Sequence, residues 1–163
     1  RFQFGSYSDE TIVIWDVVKN RRISTLRTPK IPVHDVDLDQ SGQRLAIAAK
    51  DMVVIWDVER KKSVKKFKPH GKKVLCVDFS PDDRHLMTAG SDNAVRIWQT
   101  RDWKETFLFR GHELEVNGAT FGPKGEWIFT RGLDWTCFLI KPVGRRQVIH
   151  RSPSARQIPQ FLR

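Results

Sequence analysis

The hydrophobic residues of this chain are grouped in short runs, and polar turns rich in Gly, Pro, Asp and Asn separate the runs. The clearest stretch is residues 72–99, KKVLCVDFSPDDRHLMTAGSDNAVRIWQ, in which the apolar runs stop at SPDD (80–83) and at SDN (91–93). Runs rich in Val, Ile, Leu and Phe that end at such residues are typical of strands and turns. The pattern therefore predicts three consecutive strands in this stretch.

The same pattern recurs along the chain at a nearly constant interval. Trp15, Trp56 and Trp98 lie in equivalent apolar runs, Ile140 takes the same place in a fourth run, and the successive spacings are 41, 42 and 42 residues. A repeat of about 40 to 45 residues with four short strands per unit is typical of a β-propeller blade. Each such sheet buries its faces only by packing against its neighbours.

The repeat divides the chain into four units and a tail. We expect a partial unit at 1–28, whose first strand is missing because RFQFGSYS resembles a second strand, then units at 29–68, 69–110 and 111–150. Residues 151–163, rich in Ser, Pro and Arg, are expected to be an irregular tail or linker.

These units resemble WD40 repeats, on the evidence of Gly111-His112, Trp15-Asp16 and Trp56-Asp57 at the expected places. The resemblance covers nearly the whole chain. It implies an all-β fold, a propeller segment of about four blades, each a four-stranded antiparallel sheet, with the first blade incomplete. It also implies that further blades, from the same or another chain, complete the propeller.

In the WD40 family a His, a Ser or Thr, an Asp and the Trp form a hydrogen-bonded relay inside each blade. Carried over by position, the resemblance implies a complete relay in the third unit. The fourth unit has three members, because Ile140 replaces the indole. The second unit keeps only Trp56, and the first keeps Asp9 and Trp15. The expected members are His70, Thr88, Asp92, Trp98, His112, Thr130, Asp134, Trp15 and Trp56. We expect the third blade to be the most rigid and the second to depend most on apolar packing.

The same His, Thr and Asp residues could be interpreted as a catalytic triad. Their recurrence beside a Trp favours the structural role instead. His34, His85 and His150 share no spacing with one another or with the cysteines that would suggest a metal site. We therefore expect no enzymatic activity, no cofactor and no metal.

The charge of the chain suggests an anionic partner. Lys and Arg total 29 against 19 Asp and Glu, which gives a formal charge of +10. Such a surplus suits RNA, DNA, an acidic protein segment or a membrane surface, although it could equally provide solubility inside a large assembly. The two cysteines, Cys76 and Cys137, lie in apolar strands and predict free thiols in a reducing compartment, cytoplasm or nucleus. No apolar run is long enough to span a membrane.

The cations recur at the connection between the third and fourth strands of every unit. This basic rim consists of Lys19, Arg21, Arg22, Arg60, Lys61, Lys62, Lys65, Lys66, Arg101, Lys104, Arg145 and Arg146. Long cations along a curved edge suit contact with a phosphate backbone without base reading. The alternative is that lysines in edge strands prevent aggregation.

On the opposite face, Trp135 follows the turn residue Asp134. A Trp in a turn is a natural anchor for a protein partner, and Arg131 could join it. Alternatively, Trp135 folds over the fourth blade and covers the space beside Ile140.

These observations predict a non-catalytic scaffold that holds macromolecules together in a multi-subunit complex. The second hypothesis is an RNA-contacting component of a ribonucleoprotein or ribosome-assembly particle. A third is a ubiquitin-ligase substrate receptor, because Trp98-Gln99-Thr100-Arg101 approximates the W-D-x-R signature of such propellers, but Gln99 departs from it.

Overall fold

The computed structural model describes residues 2–7, 11–16, 18–27, 31–143 and 146–152, with side chains at 11–16, 18–26 and 31–142. These residues form four antiparallel sheets in succession, and none of them is helical. No helix in this part of the chain is long and apolar enough to cross a membrane. The prediction of an all-β propeller segment is confirmed.

We call the sheets blades 1 to 4, in chain order. Blade 1 has three strands: β1 (Phe2–Tyr7), β2 (Thr11–Asp16) and β3 (Arg21–Arg27). Blade 2 has four: β4 (Val33–Leu38), β5 (Arg44–Ala49), β6 (Met52–Asp57) and β7 (Lys62–Phe67). Blade 3 comprises β8 (Val74–Phe79), β9 (His85–Gly90), β10 (Val95–Gln99) and β11 (Glu105–Phe109). Blade 4 comprises β12 (Val116–Phe121), β13 (Ile128–Gly132), β14 (Cys137–Val143) and β15 (Arg146–Ser152).

Two strand ends differ from the sequence prediction. The outermost strand of blade 4 continues to Ser152, because Arg151 pairs with Phe138 and Ser152 with Cys137, so the expected irregular tail loses its first two residues. In blade 1 the outer strand begins at Arg21, where the sequence suggested a turn, because Arg21 and Arg22 pair with Asp16 and Trp15. Residues 153–163 lie outside the described residues. Backbone pairing across a hairpin extends strands into polar residues that carry no hydrophobic signal.

Three turns recur in the blades, and each contains a residue with positive φ. Between first and second strands these residues are Gly42, Asp83 and Gly125; between second and third, Lys50, Asn93 and Trp135; between third and fourth, Asn20, Lys61 and Trp103. A positive φ is costly for a residue with a side chain, and least so for Asn and Asp. Equivalent turns therefore share a backbone conformation with positive φ even though their sequences differ. Trp103 and Trp135 are the residues for which this conformation is least favourable.

The core lies between the blades. One face of blade 2, formed by Ala46, Ala48, Val53 and Ile55, packs against blade 3, and all four residues are 0% exposed. Blade 3 repeats this with Met87, Ala89, Val95 and Ile97 against blade 4. Blades 2 and 3 thus bury both faces because a neighbour stands on each side. This arrangement explains why the third strands are apolar at nearly every position.

The innermost strands are joined by side chains that cross from one blade to the next. Asp35 and Asp37 on β4 accept backbone N–H groups from Val77 (3.0 Å) and Phe79 (2.6 Å) on β8. Asp78 on β8 accepts the N–H of Phe121 on β12 at 2.6 Å. The inner edge of a sheet would otherwise leave these N–H groups without a partner. We call these contacts the inner latches.

Candidate functional site

The structure joins four residues of blade 3 by hydrogen bonds. The indole N–H of Trp98 donates to Thr88 Oγ1 at 3.0 Å, and Thr88 Oγ1 lies 2.9 Å from His70 Nε2. His70 Nδ1 lies 2.6 Å from Asp92 Oδ1. The hydroxyl of Thr88 accepts the indole proton, and both imidazole nitrogens of His70 have partners, Nε2 at Thr88 and Nδ1 at Asp92.

Arg96 extends this relay, and no sequence motif predicts its part in it. Its Nη1 lies 2.8 Å from Asp92 Oδ2 and its Nε 3.1 Å from Glu105 Oε2. Burial lowers the pKa of His70 and so favours a neutral imidazole, whose Nδ1 lies beside both the Asp92 carboxylate and Arg96 Nη1 (2.7 Å). Burial also acts to raise the pKa of Asp92, but hydrogen bonds from Arg96 and His70 and their charges outweigh it and lower that pKa.

Blade 4 contains the same relay without the indole. His112 Nε2 lies 2.9 Å from Thr130 Oγ1, and His112 Nδ1 lies 3.2 Å from both oxygens of Asp134. The hydroxyl of Thr136 donates to Asp134 Oδ1 at 2.7 Å, which gives this carboxylate a partner that the sequence did not suggest. Burial would raise the pKa of Asp134, but these hydrogen bonds hold it at about 2. Ile140, which takes the Trp position, is 0% exposed.

Blade 2 keeps its Trp and lacks the relay. The indole nitrogen of Trp56 is buried and has no hydrogen-bond partner among the described residues, because Ile47 stands where blade 3 has Thr88. In blade 1, Trp15 is 38% exposed, and Asp9 lies outside the described residues. A buried N–H without a partner costs desolvation free energy, which in blade 2 only the apolar packing offsets.

The relays have the order of groups found in a catalytic triad but not its accessibility. Thr88 is 0% exposed, and its hydroxyl lies between an indole and an imidazole. A nucleophile has to reach its substrate, and this hydroxyl cannot. Among the described residues, no group of three or more His, Cys, Asp or Glu side chains is arranged to hold a metal ion.

The turn face of blade 4 carries an exposed apolar patch, which we call the turn-face patch: Leu114, Leu133 and Trp135. They are 51%, 48% and 77% exposed. Backbone hydrogen bonds from Leu133 N to the Glu115 carbonyl (2.9 Å) and from Glu113 N to Asp134 Oδ2 (2.8 Å) hold the turn against the preceding link. Trp135 therefore projects from a fixed turn and does not cover Ile140.

The basic rim is exposed over most of its described length. Lys19, Arg21, Arg22, Arg60, Lys61, Lys62, Lys66, Arg101 and Lys104 are exposed, and Lys65 is half-buried. Arg60 and Lys104 pair weakly with Asp57 (3.8 Å) and Asp102 (3.7 Å). Within the part of the chain that the structure describes, Lys61, Lys62 and Lys66 form no ion pair. Arg145 and the side chain of Arg146 lie outside the described residues.

Arg131 is exposed, but it belongs to the sheet of blade 4 and not to the turn. It is paired in register with Gly118, and its side chain extends across the space that a Cβ at Gly118 would fill. The sequence could not separate Arg131 from Trp135, because they are only four positions apart.

Comparison with known proteins supports the same repeat. A family profile described as "WD domain, G-beta repeat" matches residues 61–99 and 103–141. These two segments are WD40 repeats. Each matched segment contains the outer strand of one blade followed by the three inner strands of the next. The boundaries of the sequence repeat therefore do not coincide with those of the blades.

Several WD40 relatives cover much of the chain. It is 26% identical over 130 residues to transcription initiation factor TFIID subunit 5 of Caenorhabditis elegans, covering 78% of the chain and 20% of that protein. It is 28% identical over 118 residues to the periodic tryptophan protein 2 homolog of Schizosaccharomyces pombe, covering 72% of the chain and 14% of that protein. It is 24% identical over 125 residues to mouse guanine nucleotide-binding protein subunit beta-like protein 1, covering 74% of the chain and 38% of that protein. The chain thus spans well under half the length of these relatives.

Proposed function

We propose that this chain is a non-catalytic scaffold that docks a protein partner on the turn-face patch, with Trp135 as the anchor. The observation that carries the proposal is that Trp135 combines 77% exposure with a φ of +61°. Neither property stabilises the folded chain, since an exposed indole buries little apolar surface and a positive φ strains a bulky residue. Residues of this kind cluster where binding uses them.

Comparison of the equivalent turns supports the proposal. In blade 2, Asp51 pairs with Lys68 at 2.7 Å, and in blade 3 the side-chain amide of Asn93 donates to the Glu113 carbonyl at 2.8 Å. Both side chains are polar and bonded to the link that follows them. Blade 4 has a large apolar side chain at this place, beside two more exposed leucines. Transcription initiation factor TFIID subunit 5 is named as a subunit of a complex, which agrees with a scaffold role.

Trp135→Asn tests the anchor. Asn is the blade 3 residue at this position and adopts positive φ readily, so we expect an unchanged or higher thermal midpoint together with loss of partners. The measurement is quantitative mass spectrometry of proteins that co-purify with the tagged chain. Val18→Ala is the matched control, because Val18 is 79% exposed in a turn of blade 1 on the opposite face. Equal recovery of all partners by Trp135→Asn and the unsubstituted chain would contradict the proposal.

We propose RNA contact through the basic rim as a second candidate. It is supported by the exposure of the cations and by the absence of ion pairs at Lys61, Lys62 and Lys66 among the described residues. Cations without an anionic neighbour are available to phosphates. The two free cysteines suit a reducing compartment of the cell, where RNA-containing assemblies are found.

The salt dependence of binding to a single-stranded RNA tests this candidate. Charge reversal at Lys61, Lys62, Lys65 and Lys66 is expected to lower affinity and to reduce the slope of log K against log salt by about 2 to 3. Reversal of Lys50, Lys72 and Lys73, which are exposed on the turn face, is the matched control. Binding that does not respond to salt, or an equal effect in both variants, would exclude the rim.

A further inference from the structure

The link before blade 4 and the turn between its second and third strands are joined as they are in blade 3. Leu133 N donates to the Glu115 carbonyl at 2.9 Å, and in blade 3 Ser91 N donates to the Lys73 carbonyl at 2.9 Å. The first and second strands that flank these segments pair in the same register in both blades. The turn faces of the two blades can therefore be compared position by position.

The two blades present different side chains on this matching backbone. The link is Gly71-Lys72-Lys73 in blade 3 and Glu113-Leu114-Glu115 in blade 4. In the turn, Ser91 and Asn93 of blade 3 correspond to Leu133 and Trp135 of blade 4. A surface that is cationic and polar in blade 3 is thus apolar and anionic in blade 4. Since the backbone is the same, the difference lies in what each surface offers to a partner.

The carboxylates of Glu113 and Glu115 take no part in holding the turn. The bonds at these residues use backbone groups: Glu113 N donates to Asp134, the Glu113 carbonyl accepts the Asn93 amide at 2.8 Å, and the Glu115 carbonyl accepts Leu133 N. Within the ranges that the structure describes, neither carboxylate forms an ion pair or a hydrogen bond. Glu113 is exposed and Glu115 is half-buried. Both are therefore available to a partner, in a chain whose formal charge is +10.

We propose that the turn-face patch selects a basic segment of another protein, in which Lys or Arg residues flank a large apolar side chain. The inference rests on the docking proposed at Trp135 and adds the chemistry of the partner. The apolar side chain packs against Trp135 and the two leucines, and the flanking cations face Glu113 and Glu115. Interfaces combine an apolar centre with a polar rim, and charges at the rim discriminate between partners.

The positive charge of the whole chain does not oppose a basic segment at this place. At physiological ionic strength charges are screened over about 8 Å, so that the basic rim on the opposite face has little effect on the patch. An acidic segment would bring its carboxylates beside Glu113 and Glu115, and like charges in contact are unfavourable. Lys72 and Lys73 repel the same basic segment from the link of blade 3, which restricts it to blade 4.

Retention of synthetic peptides on the immobilised native protein tests the inference. Three probe peptides share the apolar core Leu-Trp-Leu and carry Lys, Gln or Glu on both sides of it. We expect the lysine peptide to bind about tenfold more tightly than the glutamate peptide, with the glutamine peptide between them. Equal retention of the lysine and glutamate peptides, including no retention of either, would overturn the inference.

Charge reversal tests whether the two carboxylates cause this preference. Glu113→Lys combined with Glu115→Lys should reverse the order of the peptides. The fold should be unaffected, because neither carboxylate has a partner to lose among the described residues and blade 3 has Lys73 at the place of Glu115. Glu59→Lys combined with Glu126→Lys is the matched control, since these exposed acids lie on the opposite face and change the net charge equally. An unchanged order in the first variant, or a reversed order in the control, would contradict the inference.

Trp135→Asn separates this inference from the docking proposal on which it rests. We expect the variant to retain none of the three peptides, because the apolar anchor is absent. Loss of the peptides in Trp135→Asn, together with an unchanged order after charge reversal, would keep the anchor and overturn only the basic partner. Retention of the lysine peptide by Trp135→Asn at the level of the unsubstituted protein would overturn both.

Discussion

At the scale of single residues, one missing hydroxyl changes the environment of a Trp that recurs from blade to blade. Trp98 and Trp56 occupy the same place in their sheets, paired with Leu86 and Leu45. Trp98 donates to Thr88, whereas the buried indole nitrogen of Trp56 has no partner within the described ranges because Ile47 cannot accept a proton. The absence of the partner could be inferred from the sequence, but the burial of the nitrogen could not.

Ile47→Thr should supply the missing acceptor, compared with Ile47→Val as the matched control. Val removes the same methyl group without adding a hydroxyl, and we expect it to lower the free energy of unfolding by about 1 kcal/mol. Thr should recover about 1 kcal/mol of this loss through the bond to Trp56. The measurement is urea unfolding of both variants. A Thr variant less stable than the Val variant would show that the hydroxyl does not reach the indole.

At the scale of the blade, the relay of blade 3 connects its second, third and fourth strands to the preceding link. In blade 3 the chain of bonds runs from the third strand through Thr88 and His70 to the turn at Asp92, where Arg96 adds a bond to Glu105 on the outer strand. In blade 4 the chain stops at Thr130, since Ile140 donates no hydrogen bond. Blade 4 thus lacks the indole N–H and the bonds of Arg96, and Thr136 adds a bond to Asp134 instead.

Thr88→Val should therefore be more destabilising than Thr130→Val. The first leaves both the indole of Trp98 and the Nε2 atom of His70 without a partner, and the second leaves only the imidazole of His112. We expect losses of about 3 and about 1.5 kcal/mol, measured as differences in the free energy of unfolding. Equal losses would indicate that the indole contributes nothing to the relay.

At the scale of the whole molecule, the seams between blades combine apolar packing with the buried carboxylates of the inner latches. Burial raises the pKa of Asp37 to about 6 and that of Asp78 to about 7, although N–H groups of Phe79 and Phe121 act in the opposite direction. Both raised values mean that the folded chain retains protons that the unfolded chain releases above pH 4. The stability from these groups is fully present below their unfolded pKa and is lost as pH rises through about 6 to 7.

Asp78→Asn tests this pH dependence. The amide keeps a carbonyl oxygen for the N–H of Phe121 and carries no charge, so it imitates the protonated acid. The unsubstituted chain should lose about 1 to 1.5 kcal/mol more stability between pH 6 and 8.5 than the variant does. Thermal unfolding at a series of pH values measures the difference, and other titrating groups such as His70 cancel in the comparison. Parallel curves for the two proteins would contradict the assignment to Asp78.

Much of the architecture is determined by the sequence alone. Apolar runs of strand length, the turns between them and their recurrence every 41 or 42 residues specify the sheets, because alternation and turn chemistry act over a few neighbouring residues. The apolar side chains of the third strands likewise require cover on both faces, since exposed they would be unfavourable in water.

Other features depend on how the sheets stand beside one another. Asp35, Asp37 and Asp78 appear in the sequence as polar residues of alternating strands, and only the tertiary structure places them opposite N–H groups about 42 residues away. In the same way, Arg131 and Trp135 are near neighbours in sequence and lie on different surfaces, one on a sheet and one in a turn. Local patterns determine what each blade is, whereas burial, pairing and exposure between blades arise from contacts that no short stretch of sequence contains.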